Sequence, residues 1–195
     1  MAHTIDLLIT GFEPFMTYTV NPSWVAAAAV AAAWPDRAAA VRLPVDYHAA
    51  AKRLLAAIEA LRPAAVLCMG LAPENAFRFE QIARKPAAFA SSPGPAVLTA
   101  TWDWTTGDAV SRERSVPARR SIDAGQYVCE STLWCLLNAH AASGRPLGFL
   151  HVPAVSETFP LGRTVDHVRV LVEAYLEHFP VRCIGSRVRT TPVAV

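Results

Sequence analysis

Residues Ala64-Ala65-Val66-Leu67-Cys68-Met69-Gly70 carry no charge and no strong hydrogen-bonding side chain. A run so short and so apolar, entered through Pro63, reads as a strand covered on both faces. Such a strand belongs inside a parallel sheet, between two layers of helix. The flanking pattern agrees. Residues 4–10 read as a strand around Ile5, Leu7, Leu8 and Ile9, and Gly11-Phe12-Glu13-Pro14-Phe15 breaks it. Asn21-Pro22-Ser23 offers a helix start, and 23–34 is an alanine-rich helix. Residues 38–44 read as a second strand. Residues 47–61 read as an amphipathic helix with Ala50, Leu54, Ile58 and Leu61 on one face. Strand and helix in alternation predict an α/β layered fold. A chain of 195 residues suits a single domain, 1–195, that buries about 70% of its unfolded surface without a disulfide or metal staple.

Beyond the apolar run, residues 76–83 alternate, with Phe77 and Phe79 on one side and Arg78, Glu80 and Ile82 on the other. The stretch of about 85–120 holds Pro86, Pro93, Pro95 and Pro117 together with Trp102 and Trp104. It predicts an irregular excursion, with a hairpin around Val97–Trp104 and a short helix after Gly107. Residues 125–142 read as a helix, 147–152 as a strand and 163–178 as an amphipathic helix. The tail 181–195 reads as one more strand or a loose end.

Several function classes are excluded on composition. At 53% hydrophobic and 17% charged residues, the chain is not intrinsically disordered. A net charge of +2 argues against nucleic-acid binding, and the four arginines within Ser111–Arg120 read as a solvated face. The apolar run Val25 to Trp34 is half of the roughly 20 residues that a membrane span needs. Cys68, Cys129, Cys135 and Cys183 form no CxxC, and no basic segment precedes the first apolar stretch. Reduced thiols in a cytoplasm are the expectation. There is no GxSxG, HExxH, GxxxxGK[ST] or GxGxxG, and no Cys/His cluster has metal spacing, so neither a metal nor a cofactor is expected.

One constellation remains, and simple geometry assembles it. Cys129 falls in the first turns of the 125–142 helix, where free N–H groups and the positive end of the dipole favour a thiolate. From there the helix travels roughly 20 Å at 1.5 Å per residue. The strand ending at His151 returns roughly 20 Å at 3.3 Å per residue. Cys129 and His151 therefore reach the same edge of the sheet, where open α/β sheets place their ligands. A cysteine beside a histidine is a nucleophile with its base. Each also has a plainer role: a helical cysteine is commonly an inert core residue, and a strand-end histidine a hydrogen-bonded structural one. Cys135 reads as core. Glu80 has a plain reading too, a surface ion pair with Arg78 or Arg84.

The chain resembles the pyroglutamyl peptidase I (pyrrolidone-carboxylate peptidase) family of cysteine peptidases. Five blocks in register carry the resemblance. They are Ile9-Thr10-Gly11-Phe12-Glu13-Pro14-Phe15 with Val20-Asn21-Pro22-Ser23-Trp24; Gly70-Leu71-Ala72-Pro73; Phe79-Glu80-Gln81-Ile82-Ala83; Asp123-Ala124-Gly125-Gln126-Tyr127-Val128-Cys129; and Gly148-Phe149-Leu150-His151-Val152-Pro153. The resemblance implies a three-layer α/β/α sandwich with a central mixed, mainly parallel sheet. It implies Cys129 as nucleophile, His151 as base and acid, and Glu80 as the group that orients His151. It further implies that Phe12, Phe15, Asn21 and Leu71 line the substrate pocket. The substrate would be a peptide with a pyroglutamyl N-terminus, cleaved through a thioester acyl-enzyme, and the enzyme a homo-oligomer, dimer or tetramer.

The chain departs from the family pattern at several places. Met16 and Thr17 follow the second phenylalanine where glycines are usual. The stretch between Gly70 and Glu80 is one residue short, with Glu74-Asn75 in place of a Gly-Arg pair. Glu130, a carboxylate that opposes a thiolate unless it points to solvent, follows Cys129. Two other readings stay open on the sequence: a cysteine hydrolase of the same mechanism with a different capped amide, and a catalytically weak relative used for binding.

Overall fold

The computed structural model describes residues 5–177. The expected tail element at 181–195, and Cys183 with it, lie outside the described residues. In chain order the elements are β1 (Ile5–Phe12), α1 (Pro22–Ala33), β2 (Ala38–Leu43), α2 (Tyr47–Leu61), β3 (Pro63–Ala72), β4 (Phe77–Glu80), β5 (Ile82–Arg84), β6 (Val97–Thr99), α3 (Thr105–Glu113), β7 (Ala118–Ser121), α4 (Val128–His140), β8 (Leu147–Pro153) and α5 (Leu161–Glu177).

Six strands form one sheet in the order β2-β1-β3-β8-β4-β7. β2, β1, β3 and β8 run parallel. β4 runs against β8, and β7 follows β4. The sheet is mixed and mainly parallel, as expected. All ten residues of β3 are buried, which is what an apolar run between two parallel neighbours requires. One face, with Leu7, Ile9, Leu67, Met69 and Leu150, packs on α1, α3 and α5. The other, with Leu8, Val66, Cys68 and Phe149, packs on α2 and α4. The result is three layers, α/β/α. Each fully buried leucine or valine in them contributes about 1.5–3 kcal/mol.

Local signals explain the helix limits. Asn21 caps α1 by accepting the Ser23 N–H at 3.1 Å, with Pro22 in the first turn. Asp46 caps α2 through the N–H groups of His48 and Ala49. Arg62, at φ 43°, closes α2 in the left-handed conformation just before Pro63. α4 starts at Val128 rather than at 125. Gly125 takes φ 85° and its N–H bonds the Asp123 carboxylate at 3.0 Å, so residues 123–127 form a turn instead of a first helical turn.

The stretch 85–120 corrects the sequence reading most. Trp102 and Trp104 are buried in the core, where Trp104 stacks on Phe79 at 4.7 Å and Trp102 on Tyr175 at 4.1 Å. Gly148 makes room for them, since a Cβ there would stand 2.7 Å from that of Trp102. There is no hairpin over 97–104. Val97–Thr99 pairs antiparallel with Ile82–Arg84 instead, as a separate two-stranded sheet. Residues 118–121, which gave no strand signal, form the edge strand β7. Its Arg119 and Arg120 side chains are about half exposed and pair with Glu74 and Asp108. An edge strand tolerates such charge and uses it against pairing with other chains.

Candidate active site

β8 lies in the middle of the sheet, and His151 sits near its end. Across one ladder His151 faces Gly70 of β3; across the other it faces Arg78 of β4. Residues two apart on a strand share a face. Phe149 packs among the side chains under α2 and α4, so His151 projects to that same layer. Arg78 and Glu80, two apart on β4, lie beside them. Glu80 is fully buried, and its Oε1 stands 2.8 Å from His151 Nδ1.

Cys129 approaches from the first turn of α4. A Cβ placed on Gly70 would lie 2.7 Å from Cys129 Sγ. The missing side chain of Gly70 is therefore the space in which the sulfur sits, one strand over from His151 at the same level. The α4 start has no side-chain cap hydrogen bond, and the first N–H groups of a helix are the ones its own carbonyls cannot pair. Cys129 and His151 thus stand at the same edge of the sheet, on either side of the Gly70 position.

Burial dominates the electrostatics. It pushes the Cys129 thiol up to about 12, with the Glu80 charge adding to the rise and Arg78 opposing it. His151 is pushed below the usual histidine value, again chiefly by burial. The Glu80 hydrogen bond works against that fall, and Arg78 adds to it. The resting pair is a thiol beside a neutral imidazole.

The plain alternative for Glu80 also occurs, but not at a surface. Arg78 Nε stands 3.1 Å from Glu80 Oε1, and Arg78 Nη2 stands 3.1 Å from His151 Nδ1. Arg78 Nη1 bonds Glu74 Oε1 at 2.7 Å, and Arg119 Nη2 bonds Glu74 Oε2 at 2.6 Å. Sequence reasoning singled out Glu80 and read Arg78 only as its ion-pair partner; the available signal was the Arg-x-Glu spacing on an alternating strand. Glu130 points neither at the thiol nor to solvent. It is buried, and its Oε1 accepts the backbone N–H of Arg84 on β5.

The other candidates are spread along the strand ends. Phe12 is buried at the end of β1, in the same apolar cluster as Cys129. Phe15 is half-buried in the following loop, 5.4 Å from the Tyr18 ring. Asn21 is buried, and its amide is spent locally. Oδ1 accepts from Ser23 N–H and Oγ–H, and Nδ2 donates to the Glu13 carbonyl at 3.1 Å. Leu71 is buried on β3 and, by alternation, projects to the face opposite Gly70's. Cys135 lies in the apolar layer between α4 and the sheet.

The family model for pyroglutamyl peptidase matches residues 5–88. A pyrrolidone-carboxylate peptidase of Gloeobacter violaceus is 34% identical over 170 residues, covering 77% of this chain and 82% of that protein. Another, of Streptomyces coelicolor, is 36% identical over 175 residues, covering 80% and 81%. Among solved structures, a mutant pyrrolidone carboxyl peptidase of the hyperthermophile Pyrococcus furiosus aligns with TM-score 0.76 at 24% identity, covering 89% of this chain and 99% of that one. Pyroglutamyl peptidase I of Bacillus amyloliquefaciens aligns with TM-score 0.70 at 24% identity, covering 87% and 94%. These structures share the fold described above.

Proposed function

The chain belongs to the pyroglutamyl peptidase family, and from that premise we propose that it is a cysteine peptidase that removes an N-terminal pyroglutamyl residue from peptides. Cys129 is the nucleophile, His151 the base and then the acid, and Glu80 the carboxylate that orients the ring. The observation that carries this reading is the 2.8 Å contact of Glu80 Oε1 with His151 Nδ1, on a ring in register with the glycine that Cys129 Sγ occupies. The relatives' shared name favours pyroglutamyl peptides over another capped amide and over a binding role.

The chemistry follows from these positions. A proton on Nδ1, held by Glu80, leaves the Nε2 lone pair free to accept. His151 takes the thiol proton as Cys129 Sγ attacks the pyroglutamyl carbonyl carbon. The oxyanion would be received by N–H groups of the first turn of α4, which has no side-chain cap. Collapse breaks the C–N bond, and the imidazolium gives its proton to the leaving amine. Water, deprotonated by His151, then cleaves the thioester, releasing 5-oxoproline and restoring the thiol. Because burial keeps the resting pair neutral, the thiolate forms during attack, with His151 as a true general base. The lactam is flat and uncharged, which suits an apolar wall supplied by Phe12 and Phe15. No metal or organic cofactor has a step in this sequence.

Release of a fluorophore from a pyroglutamyl amide tests the reading. Cys129→Ala and His151→Ala are expected to lose at least about 1,000-fold in kcat/KM. Undiminished turnover in Cys129→Ala, or none in a folded wild type, overturns it. We extend the proposal to a cytoplasmic homo-oligomer. The free thiols of Cys68, Cys129 and Cys135 support a reducing compartment, and light scattering reads the assembly.

A further inference from the structure

We propose that Arg78 is a positioning residue of this site: its guanidinium locks Glu80 against His151, and its charge sets the pH range in which the Cys129 thiolate forms. The inference rests on the peptidase reading above for its mechanism, but not for its test.

The geometry is specific. The three nitrogens of the Arg78 guanidinium face three different groups: Nε stands at ion-pair distance from Glu80 Oε1 without making a hydrogen bond, Nη2 lies against His151 Nδ1 and Nη1 bonds Glu74 Oε1. Glu74 is in turn gripped by Arg119. A line of alternating charge thus runs from the half-exposed edge strand to the buried ring. Arg78 and His151 are register partners across the β4–β8 ladder, so the backbone itself fixes the approach.

His151 Nδ1 is claimed by two groups of opposite character. Glu80 only accepts, and Arg78 only donates. With the ring proton directed at Glu80, at the shorter distance, the guanidinium beside it repels a second proton on the ring. The same charge favours negative sulfur. Arg78 therefore holds the imidazole neutral as a base and eases the loss of the Cys129 proton, while Glu80 alone does the reverse of both. The charged and titratable groups facing the pair are Glu80 and Arg78 from β4, Glu74 from the β3–β4 connection, Cys68 from β3 and Cys129 itself from α4. Arg78 is the cation among those charges, so its removal leaves only groups that resist both changes.

The experiment measures alkylation of Cys129 by iodoacetamide against pH, located by peptide mass, alongside the pH profile of kcat/KM on a pyroglutamyl amide. Arg78→Met is expected to move the alkylation midpoint, and both limbs of the kcat/KM bell, to higher pH by about one unit. Arg78→Lys keeps the charge and is expected to hold the midpoint near wild type while kcat falls, because one ammonium cannot span Glu80, His151 and Glu74 together. Glu74→Gln removes a negative charge and is expected to shift the midpoint the other way, by less. It does not disturb the Arg78 pairings on β4, so it serves even where Arg78→Met fails to fold. A role confined to packing predicts no opposed signs. Unmoved midpoints, or shifts of one sign in Arg78→Met and Glu74→Gln, overturn the inference. Absence of turnover in wild type, with these alkylation shifts intact, overturns the peptidase reading instead.

Discussion

Replacing Gly70 with alanine adds one methyl group at the point where the sulfur meets the sheet. The new Cβ would lie 2.7 Å from Cys129 Sγ, 2.9 Å from Phe149 Cζ and 3.2 Å from Phe149 Cε1. Ordinary contacts need about 3.5–4.0 Å, so the sulfur has to withdraw by about 1 Å. Phe149 is fully buried and cannot swing clear. Overpacking of this kind costs about 1–3 kcal/mol, partly offset by the lower chain entropy of alanine. A net loss of about 2 kcal/mol lowers the Tm by about 4–8 °C in a chain of this size. The catalytic cost is larger, since a 1 Å misplacement of a reacting atom is worth about 100-fold in rate. The assay is turnover of a pyroglutamyl amide with a thermal melt on the same preparations. Gly162→Ala is the control: nothing lies within 4 Å of that position, on α5, and alanine there is expected to be neutral or stabilising. Turnover in Gly70→Ala within threefold of wild type, at unchanged Tm, would refute the placement of the sulfur in the Gly70 gap.

Three further outcomes follow from buried groups. Glu130→Ala leaves the Arg84 N–H without its carboxylate and is expected to cost about 1–3 kcal/mol in chemical denaturation; an unchanged midpoint contradicts the role assigned to that bond. His167, fully buried and held down to about 4 chiefly by burial with Arg114 and Arg163 adding, stays neutral in the fold after the unfolded chain has taken up its proton. Stability is therefore intact above about pH 6.5 and declines by about 3 kcal/mol on the way to pH 4. Urea melts across that range should show the slope in wild type and a reduced one in His167→Leu. Cys135→Ala, in the apolar layer away from the Gly70 gap, is expected to keep kcat/KM within about threefold while losing some stability; a collapse of turnover in folded protein would contradict this.

The central layers were readable because burial on both faces leaves a plain signal. The run at 64–70 could only be an interior strand, and the helix at 47–61 showed its apolar stripe. That Cys129 and His151 reach the same edge of the sheet needed only the rise per residue of a helix and of a strand. The edge was not readable for the opposite reason. β7 reads Ala-Arg-Arg-Ser, a composition chosen by solvent rather than by pairing. The pairing of Ile82–Arg84 with Val97–Thr99 spans a proline-rich loop whose length hides the partner. The tryptophans read as part of an irregular excursion because the glycine that makes room for them, Gly148, is far along the chain. Arg78 was read only as an ion-pair partner of Glu80, since its place beside His151 comes from a strand reversal that no local pattern records.

That reversal has a thermal consequence. The imidazole rests on the long parallel strands, but Glu80 and Arg78 are carried by a four-residue strand that joins β8 through three register pairs, has the edge strand β7 on its other side and is anchored in the core by Phe77 and Phe79. Fraying that starts at the exposed β7 edge reaches β4 before it reaches the parallel interior. On warming, hydrolysis should fade while circular dichroism is still native, and return on cooling. The upper working temperature of the protein would then be a property of its weakest seam rather than of the molecule as a whole.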